Sequence, residues 1–192
     1  MTPARVLAFA GSARAASLNK RLLRVAADAV AAAGAEVTVI DLDDYPMPVY
    51  HGDLEAREGV PANARKLREM FLAHGALLIA SPENNGSVSA LLKNTLDWVS
   101  RPLDGQNGLV PYQRKVAALL AASPGGLGGA RGIAHLRAIL VRLGVLVLPE
   151  QFTLPRAHEA FTGEGALAEP RHLASVTGLA RRLVEIATRL AD

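Results

Sequence analysis

The stretch AFAGSARAASLNK (residues 8–20) passes from the end of an apolar run, through a turn, into the start of a helix. The run, RVLAFA (5–10), is apolar at nearly every position, as a strand buried on both faces must be. After the turn, SLNKRLLRVAADAVAAAG (17–34) sets Leu22, Val25, Ala26 and Val30 on one helical face. Ser17 is placed to cap that helix and Gly34 to stop it. Strand, short turn and helix make half of a βαβ unit, and the rest of the chain repeats the alternation.

Working outward, AEVTVID (35–41) alternates and reads as a second strand nearer an edge, while ALLIAS (76–81), KVAALLAAS (115–123) and VLVLP (145–149) read as the third, fourth and fifth. Helical patterns cover 61–75, with Pro61 in the first turn, then 87–101 with Ser87 as cap, 129–144, and 170–191. Five strands alternating with five helices, several strands apolar throughout, imply an α/β doubly wound parallel sheet with helices on both faces. With five strands in 192 residues, the flavodoxin-like order 2-1-3-4-5 is expected rather than the dinucleotide type. Residues 1–192 are expected to form a single domain.

Composition removes several function classes. No cysteine is present, so disulfides, thiolate catalysis and Cys-based metal sites are excluded. The five histidines lack metal-ligand spacing, and HEAF (158–161) fails the H-E-x-x-H pattern at its last position. Net charge is +3 with 4% aromatics, and the Arg residues are dispersed, which argues against nucleic acid. No apolar stretch approaches the roughly 20 residues a membrane helix needs. The N-terminus runs straight into a strand pattern without a signal peptide, so a cytoplasmic location is expected.

In a parallel sheet the carboxyl ends of the strands share one rim, where ligands bind. Three unusual turns follow strands: GSARAAS (11–17), SPENNGS (81–87) and SPGGLGGARG (123–132). In the order 2-1-3-4-5 they line one continuous site. The first suits an anion. Gly11 permits a tight turn, Ser12, Ser17 and Asn19 offer donors, Arg14 offers a two-pronged cation, and the helix N-terminus adds free N–H groups. No acidic residue precedes Asp28. A capped helix with solvated basic residues is the plain alternative. No Walker or G-x-G-x-x-G pattern is present, so neither an NTP nor NAD in the Rossmann manner is indicated. The second turn suits a flat heterocycle, with Pro82 and Gly86 fixing the backbone and Glu83, Asn84 and Asn85 ordering it.

These residues resemble those of the NADPH-dependent FMN reductases. GSARAASLN (11–19) is similar to that family's phosphate turn, and SPENNGSVSALLKNTLDWVSRP (81–102) to its P-E-Y-N-G-S…L-K-N…D-W segment. ASPGGLGGARGIAHLR (122–137) and LGVLVLPEQFTLPRA (143–157) continue the likeness, which covers roughly residues 4–156. The resemblance implies a flavodoxin-like fold and an FMN-dependent NAD(P)H oxidoreductase. Its electrons would pass from NADPH or NADH to a quinone, metal oxyanion, azo compound or flavin. It places the FMN phosphate on Ser12, Arg14, Ser17, Leu18 and Asn19 beside Gly11, and the ring system against Pro82, Glu83, Asn84, Asn85 and Gly86, with Ser123 along the flavin. It names no catalytic acid, base or nucleophile, and it implies a homodimer or homotetramer. Asn84 departs from the family's usual Tyr. A flavodoxin-type electron carrier is the alternative; carriers of that kind dock through acidic surfaces, and this chain is net positive.

Two long loops remain. The first, 42–60, is rich in Asp, Glu, Pro and Tyr, and is read either as a wall for a neighbour's site or as solvated surface. The second, 101–115, is expected over the cofactor edge. Trp98 is expected in the core.

Overall fold

The computed structural model describes residues 3–191. The chain runs β1 (Arg5–Ala10), α1 (Leu18–Ala32), β2 (Glu36–Asp41), α2 (Gly52–Glu58), α3 (Ala62–Ala73), β3 (Ala76–Ala80), β4 (Glu83–Asn84), β5 (Ser87–Val88), α4 (Ala90–Val99), β6 (Val116–Ala122), α5 (Ala130–Arg142), β7 (Leu146–Leu154) and α6 (Pro170–Ala191). The main sheet is parallel in the order β2-β1-β3-β6-β7. Because β4 and β5 form a separate small hairpin, this is the expected order 2-1-3-4-5.

Alternation along each central strand divides the core in two. Val6, Ala8 and Ala10 of β1 pack toward α1 and α6. Leu7 and Phe9 pack toward α3, α4 and α5. Every residue of β3 and β6 is buried, which accounts for their unbroken apolar runs. β2 is largely exposed, as its alternating sequence implied. The other edge, β7, is longer than its VLVLP core and carries a pairing irregularity opposite Ala117 and Leu119. Arg137 donates to the carbonyls of Leu148 at 2.6 Å and Pro149 at 3.4 Å, so part of that edge is occupied by a cation rather than left for another strand.

Helix boundaries follow the caps. Ser17 caps α1, its Oγ accepting from the Lys20 amide at 3.4 Å. Ser89, not Ser87, caps α4, its Oγ accepting from the Leu92 amide at 3.2 Å. Ser87 is instead part of the hairpin strand β5.

Residues 42–60, expected as a loop, contain the short helix α2, capped by His51, and the part before it is a strap on the outer face of α4. The Pro48 carbonyl accepts from Trp98 Nε1 at 2.8 Å and Asn94 Nδ2 at 3.0 Å, while Asn94 Oδ1 accepts from the Tyr50 amide at 2.8 Å. The Tyr50 ring meets Trp98 edge-on at 5.0 Å. Trp98 is thereby buried, as expected. The loop 101–115 does not cover the ligand rim. It leads into the amino end of β6 and folds onto α3, where buried Arg68 donates to the carbonyls of Val99, Arg101 and Asn107 and to Gln106 Oε1 at 3.2–3.4 Å. A helix that descends antiparallel to the sheet delivers its C-terminal loop to the opposite end, which composition does not reveal.

At that same end Lys115 is buried and donates to the His74 carbonyl, while the His74 ring nitrogens contact Met70 O at 2.6 Å and Thr38 Oγ1 at 2.8 Å. Burial lowers the Lys115 ammonium from 10.5 to about 8. The unfolded chain therefore holds this proton up to higher pH than the native one does, so the penalty is full below pH 8 and lifts as pH rises toward 10.5. Urea unfolding at pH 8, 9 and 10 should show stability contributed by this site rising, by up to about 3 kcal/mol over the full interval. Lys115→Met should flatten that slope; an unchanged slope would show that another group produces it.

Candidate active site

The three turns meet. Gly11, Ser12, Arg14, Ser17, Leu18 and Asn19 from the first, Pro82, Glu83 and Asn84 from the second, and Ser123 from the third line one cleft of ≈ 670 Å³ at the carboxyl rim. Asn85 and Gly86 do not line it. Ser89, Ala90 and Leu91 at the start of α4, together with His158, line it without having been singled out in the sequence. Ser89 carries a helix-cap signal of its own, two residues after Ser87. His158 had no local signal. It arrives because the segment after β7 folds back on the third turn, with Ser123 N donating to Leu154 O at 3.1 Å and Ala157 N to Ser123 O at 3.0 Å.

Gly11 joins the first two turns. Its amide donates to Ala80 O at 2.9 Å and its carbonyl accepts from Ser89 Oγ at 2.6 Å. A side chain there would meet Leu92 Cβ at 2.9 Å, so only glycine admits α4 this closely. Beyond it, the backbone N–H groups of Leu18 and Asn19 have no acceptor among the described residues, as the first turn of a helix leaves them. Lys20 is committed elsewhere, its Nζ 2.5 Å from Asp41 Oδ2 and 3.3 Å from Ala13 O. Burial raises the Asp41 carboxyl, but its bonds to Lys20 and the Asp43 amide, with the charges of Lys20 and Arg24, together outweigh this and hold it below its ordinary value. Arg14 is exposed, with no carboxylate within 4.0 Å among the described residues. The mouth of the first turn thus combines a free guanidinium, unpaired amides and no acid.

Asn19 does different work from the donor role read in the sequence. Its Nδ2 donates to Ala122 O and its Oδ1 accepts from Ala122 N, both at 2.9 Å and buried. The side chain pins the start of α1 to the end of β6. What Asn19 leaves free at the cleft is its backbone N–H.

The second turn is a two-residue hairpin. Glu83 pairs with Val88 and Asn84 with Ser87, and Asn85 and Gly86 take positive φ of 50° and 78°. Asn-Gly is the dipeptide such a hairpin turn favours, so PENNGS carries its signal locally. Asn85 and Gly86 therefore shape the wall rather than form it.

Glu83 clamps this hairpin to α5. The N-cap of α5 is Gly129, which has no side chain to offer. Glu83 replaces it, accepting from the amides of Arg131 at 3.0 Å and Gly132 at 3.1 Å and from Arg131 Nε at 2.7 Å. Burial raises the Glu83 carboxyl, but the Gly132 amide and the Arg131 guanidinium prevail and hold it low. Gly132 lies so near that a Cβ there would meet Ser87 O at 3.1 Å and Glu83 Cβ at 3.2 Å. His135, one turn on, lies 2.9 Å from Ser87 Oγ through Nδ1.

Chemically, the cleft offers an anion end on the first turn and a hairpin wall beside it. Among the described residues no cluster of three His, Asp or Glu could hold a metal ion.

Comparison with known proteins agrees with this geometry. The family described as NADPH-dependent FMN reductase matches residues 4–159. An NAD(P)H-dependent FMN reductase of Pseudomonas aeruginosa is 36% identical over 168 residues, 87% of this chain and 86% of its own. An NADPH:quinone oxidoreductase of Arabidopsis thaliana is 37% identical over 170 residues, 86% of this chain and 82% of its own. Among solved structures, a flavoenzyme NAD(P)H:(acceptor) oxidoreductase from Paracoccus denitrificans superposes with a TM-score of 0.79 at 26% identity, covering 98% of both chains. On the match across residues 4–159, with two relatives above 35% identity, the chain belongs to the NADPH-dependent FMN reductase family.

Proposed function

We propose that this oxidoreductase holds FMN in the rim cleft and uses NADPH or NADH to reduce a small acceptor, a quinone first among them. The observation that carries the reading is the pairing, in one cleft, of an acid-free helix N-terminus with a hairpin wall. The phosphate falls to Ser12, Ser17 and Arg14 and to the amides of Leu18 and Asn19. The flat ring falls to Pro82, Glu83 and Asn84 on one side and Ser123 on the other. Asn85 and Gly86 serve by setting the hairpin.

Bound flavin supplies the redox chemistry, accepting two electrons as hydride and passing them on. The chain's own residues bind, orient and shield. Arg14 and the helix amides fix one end of the molecule by charge-assisted bonds. The Glu83 clamp keeps the hairpin at a set distance from α5, so the width of the ring slot does not drift. Asn84 presents an amide where an aromatic ring would give apolar area, leaving more room for the second substrate. No side chain is assigned a proton transfer.

A dimer or tetramer and a cytoplasmic location belong to the same proposal, since two-fold pairing is the commonest closed assembly. Light scattering should give a multiple of the 20.2 kDa chain mass, and the monomer mass at micromolar concentration would remove that part.

Arg14→Ala should weaken FMN binding by roughly tenfold to a hundredfold, the loss of a charge-assisted contact of about 1.5–3 kcal/mol. Fluorescence titration of apo protein measures it, and unchanged affinity would take the phosphate off this turn. Glu83→Gln keeps the shape and removes the charge. It should cost about 1–2 kcal/mol of stability at pH 7. The contribution is present above the ordinary Glu pKa and disappears as pH falls through the lowered native value, so wild type and variant should converge under acid. Urea unfolding at pH 7 and pH 3 tests this. A gap of equal size at both would show that the carboxylate charge is not what holds the hairpin.

A further inference from the structure

A second cleft, of ≈ 610 Å³, lies along the groove between α1 and α6 and is closed at one end by residues 164–166. It shares no lining residue with the rim cleft. Three guanidiniums border it. Arg21 and Arg24 come from α1, one helical turn apart, and Arg181 comes from α6. Among the described residues none of the three has a carboxylate within 4.0 Å. Asp28 and Glu164 also border the cleft and likewise form no ion pair within that distance. Neighbouring cations take the local acids instead: Lys20 holds Asp41, while Arg182 and Arg189 share Glu185. Three cations against two carboxylates leave the cleft one net positive charge, with charges placed but not neutralised.

Its floor is apolar and built mostly of short side chains. Val25 and the small side chains Ala29 and Ala32 supply it from α1, and Leu173, about two-fifths exposed, stands at the α6 side. Arg21 is already positioned. Its guanidinium carbon lies 4.4 Å from the centre of the Phe161 ring, and its Nη2 donates to Thr162 O at 3.5 Å. A guanidinium held flat in this way offers an edge for an anion and a plane for stacking. Arg24 and Arg181 are free to close on the same anion from opposite walls.

We propose that this cleft binds a small planar aromatic anion, its ring on the alanine floor and its carboxylate, sulfonate or phosphate among Arg21, Arg24 and Arg181. Net charge selects against a cation, and the apolar floor against a bare inorganic ion. Asp28 and Glu164 select against a ligand with several negative charges. The site is independent of the flavin reading, since it shares no residue with that cleft. The two do share a segment: His158 borders the rim cleft and residues 164–166 border this one.

The test uses ¹⁵N-labelled protein with saturating FMN, titrated with naphthalene-2-sulfonate and followed by amide shifts. Saturable shifts are expected in α1 at residues 21–33 and at 164–166, with no matching change at residues 11–19. The double variant Arg24→Glu/Arg181→Glu changes two exposed side chains and should lower the affinity at least tenfold without altering the melting temperature or FMN retention. The uncharged 2-naphthalenemethanol and inorganic sulfate should each bind at least tenfold more weakly than the sulfonate. Shifts confined to residues 11–19, affinity unchanged by charge reversal, or sulfate binding as well as the sulfonate would each overturn the proposal. If FMN fails to bind, the same map on apo protein still separates the clefts, because the responding amides belong to one or the other.

Discussion

A side chain at position 11 would stand 2.9 Å from Leu92 Cβ and 3.2 Å from Ser89 Oγ, and most of the rim cleft follows from its absence. With glycine there, the first turn of α4 lies directly on the end of β1, and Ser89 can both cap its own helix and donate to Gly11 O. The hairpin that immediately precedes Ser89 is then delivered to the side of the first turn. On its far side Gly132 allows α5 the same intimacy. Two missing methyl groups therefore set the width of the slot from both directions. The Asn19–Ala122 pair fixes the third boundary by tying α1 to the end of β6.

The strand order and the convergence of three turns were legible because they follow from rules that act on whole segments. Apolar runs without alternation demand helices on both faces, and a parallel sheet puts every strand's carboxyl end on one rim. What escaped depends on pairs of residues far apart in the chain. Asn19 reads as a donor beside a phosphate turn; nothing nearby says that Ala122 will present both an amide and a carbonyl to it. Glu83 reads as part of a ligand loop, yet its acceptors are spent on a helix whose own cap residue is glycine. The Asn85–Gly86 hairpin is the exception. It is written locally, as the dipeptide most favoured at such a corner, and the helix is capped by Ser89 rather than Ser87 because Ser87 belongs to the hairpin.

The loops show the limit of composition as a guide to place. Residues 42–60 and 101–115 are both long, polar and rich in turn formers, which are marks of functional loops. One is a strap bonded through Pro48 to Asn94 and Trp98, and the other is wrapped around a buried arginine. Part of their polarity goes into internal hydrogen bonds, while Asp43, Asp44, Asp53 and Glu58 stay exposed to solvent. Arg68 has only carbonyl and amide oxygens for partners, which suffices because a guanidinium can spread its donors over several acceptors.

Charge near the rim is also allotted rather than merely present. The first 27 residues hold five cations and no acid, but these cations are not equivalent. Arg5 reaches Glu36 at the far end of the sheet, Lys20 neutralises Asp41, and Arg21 lies on Phe161. Asp41 is the carboxylate that the end of β2 brings beside the start of α1, where Lys20 holds it and the charge of Arg24 also acts on it. With that acid held by Lys20, and Glu83 tied to Arg131 and the start of α5, Arg14 and the α1 amides keep unspent donors among the described residues. The positive end of α1 adds to the guanidinium instead of being cancelled by a neighbour. An anion site made this way needs no residue that exists only to bind. For the proposed phosphate site it matters that the nearby acid is held by another cation, and the 2.5 Å contact between Lys20 and Asp41 does that.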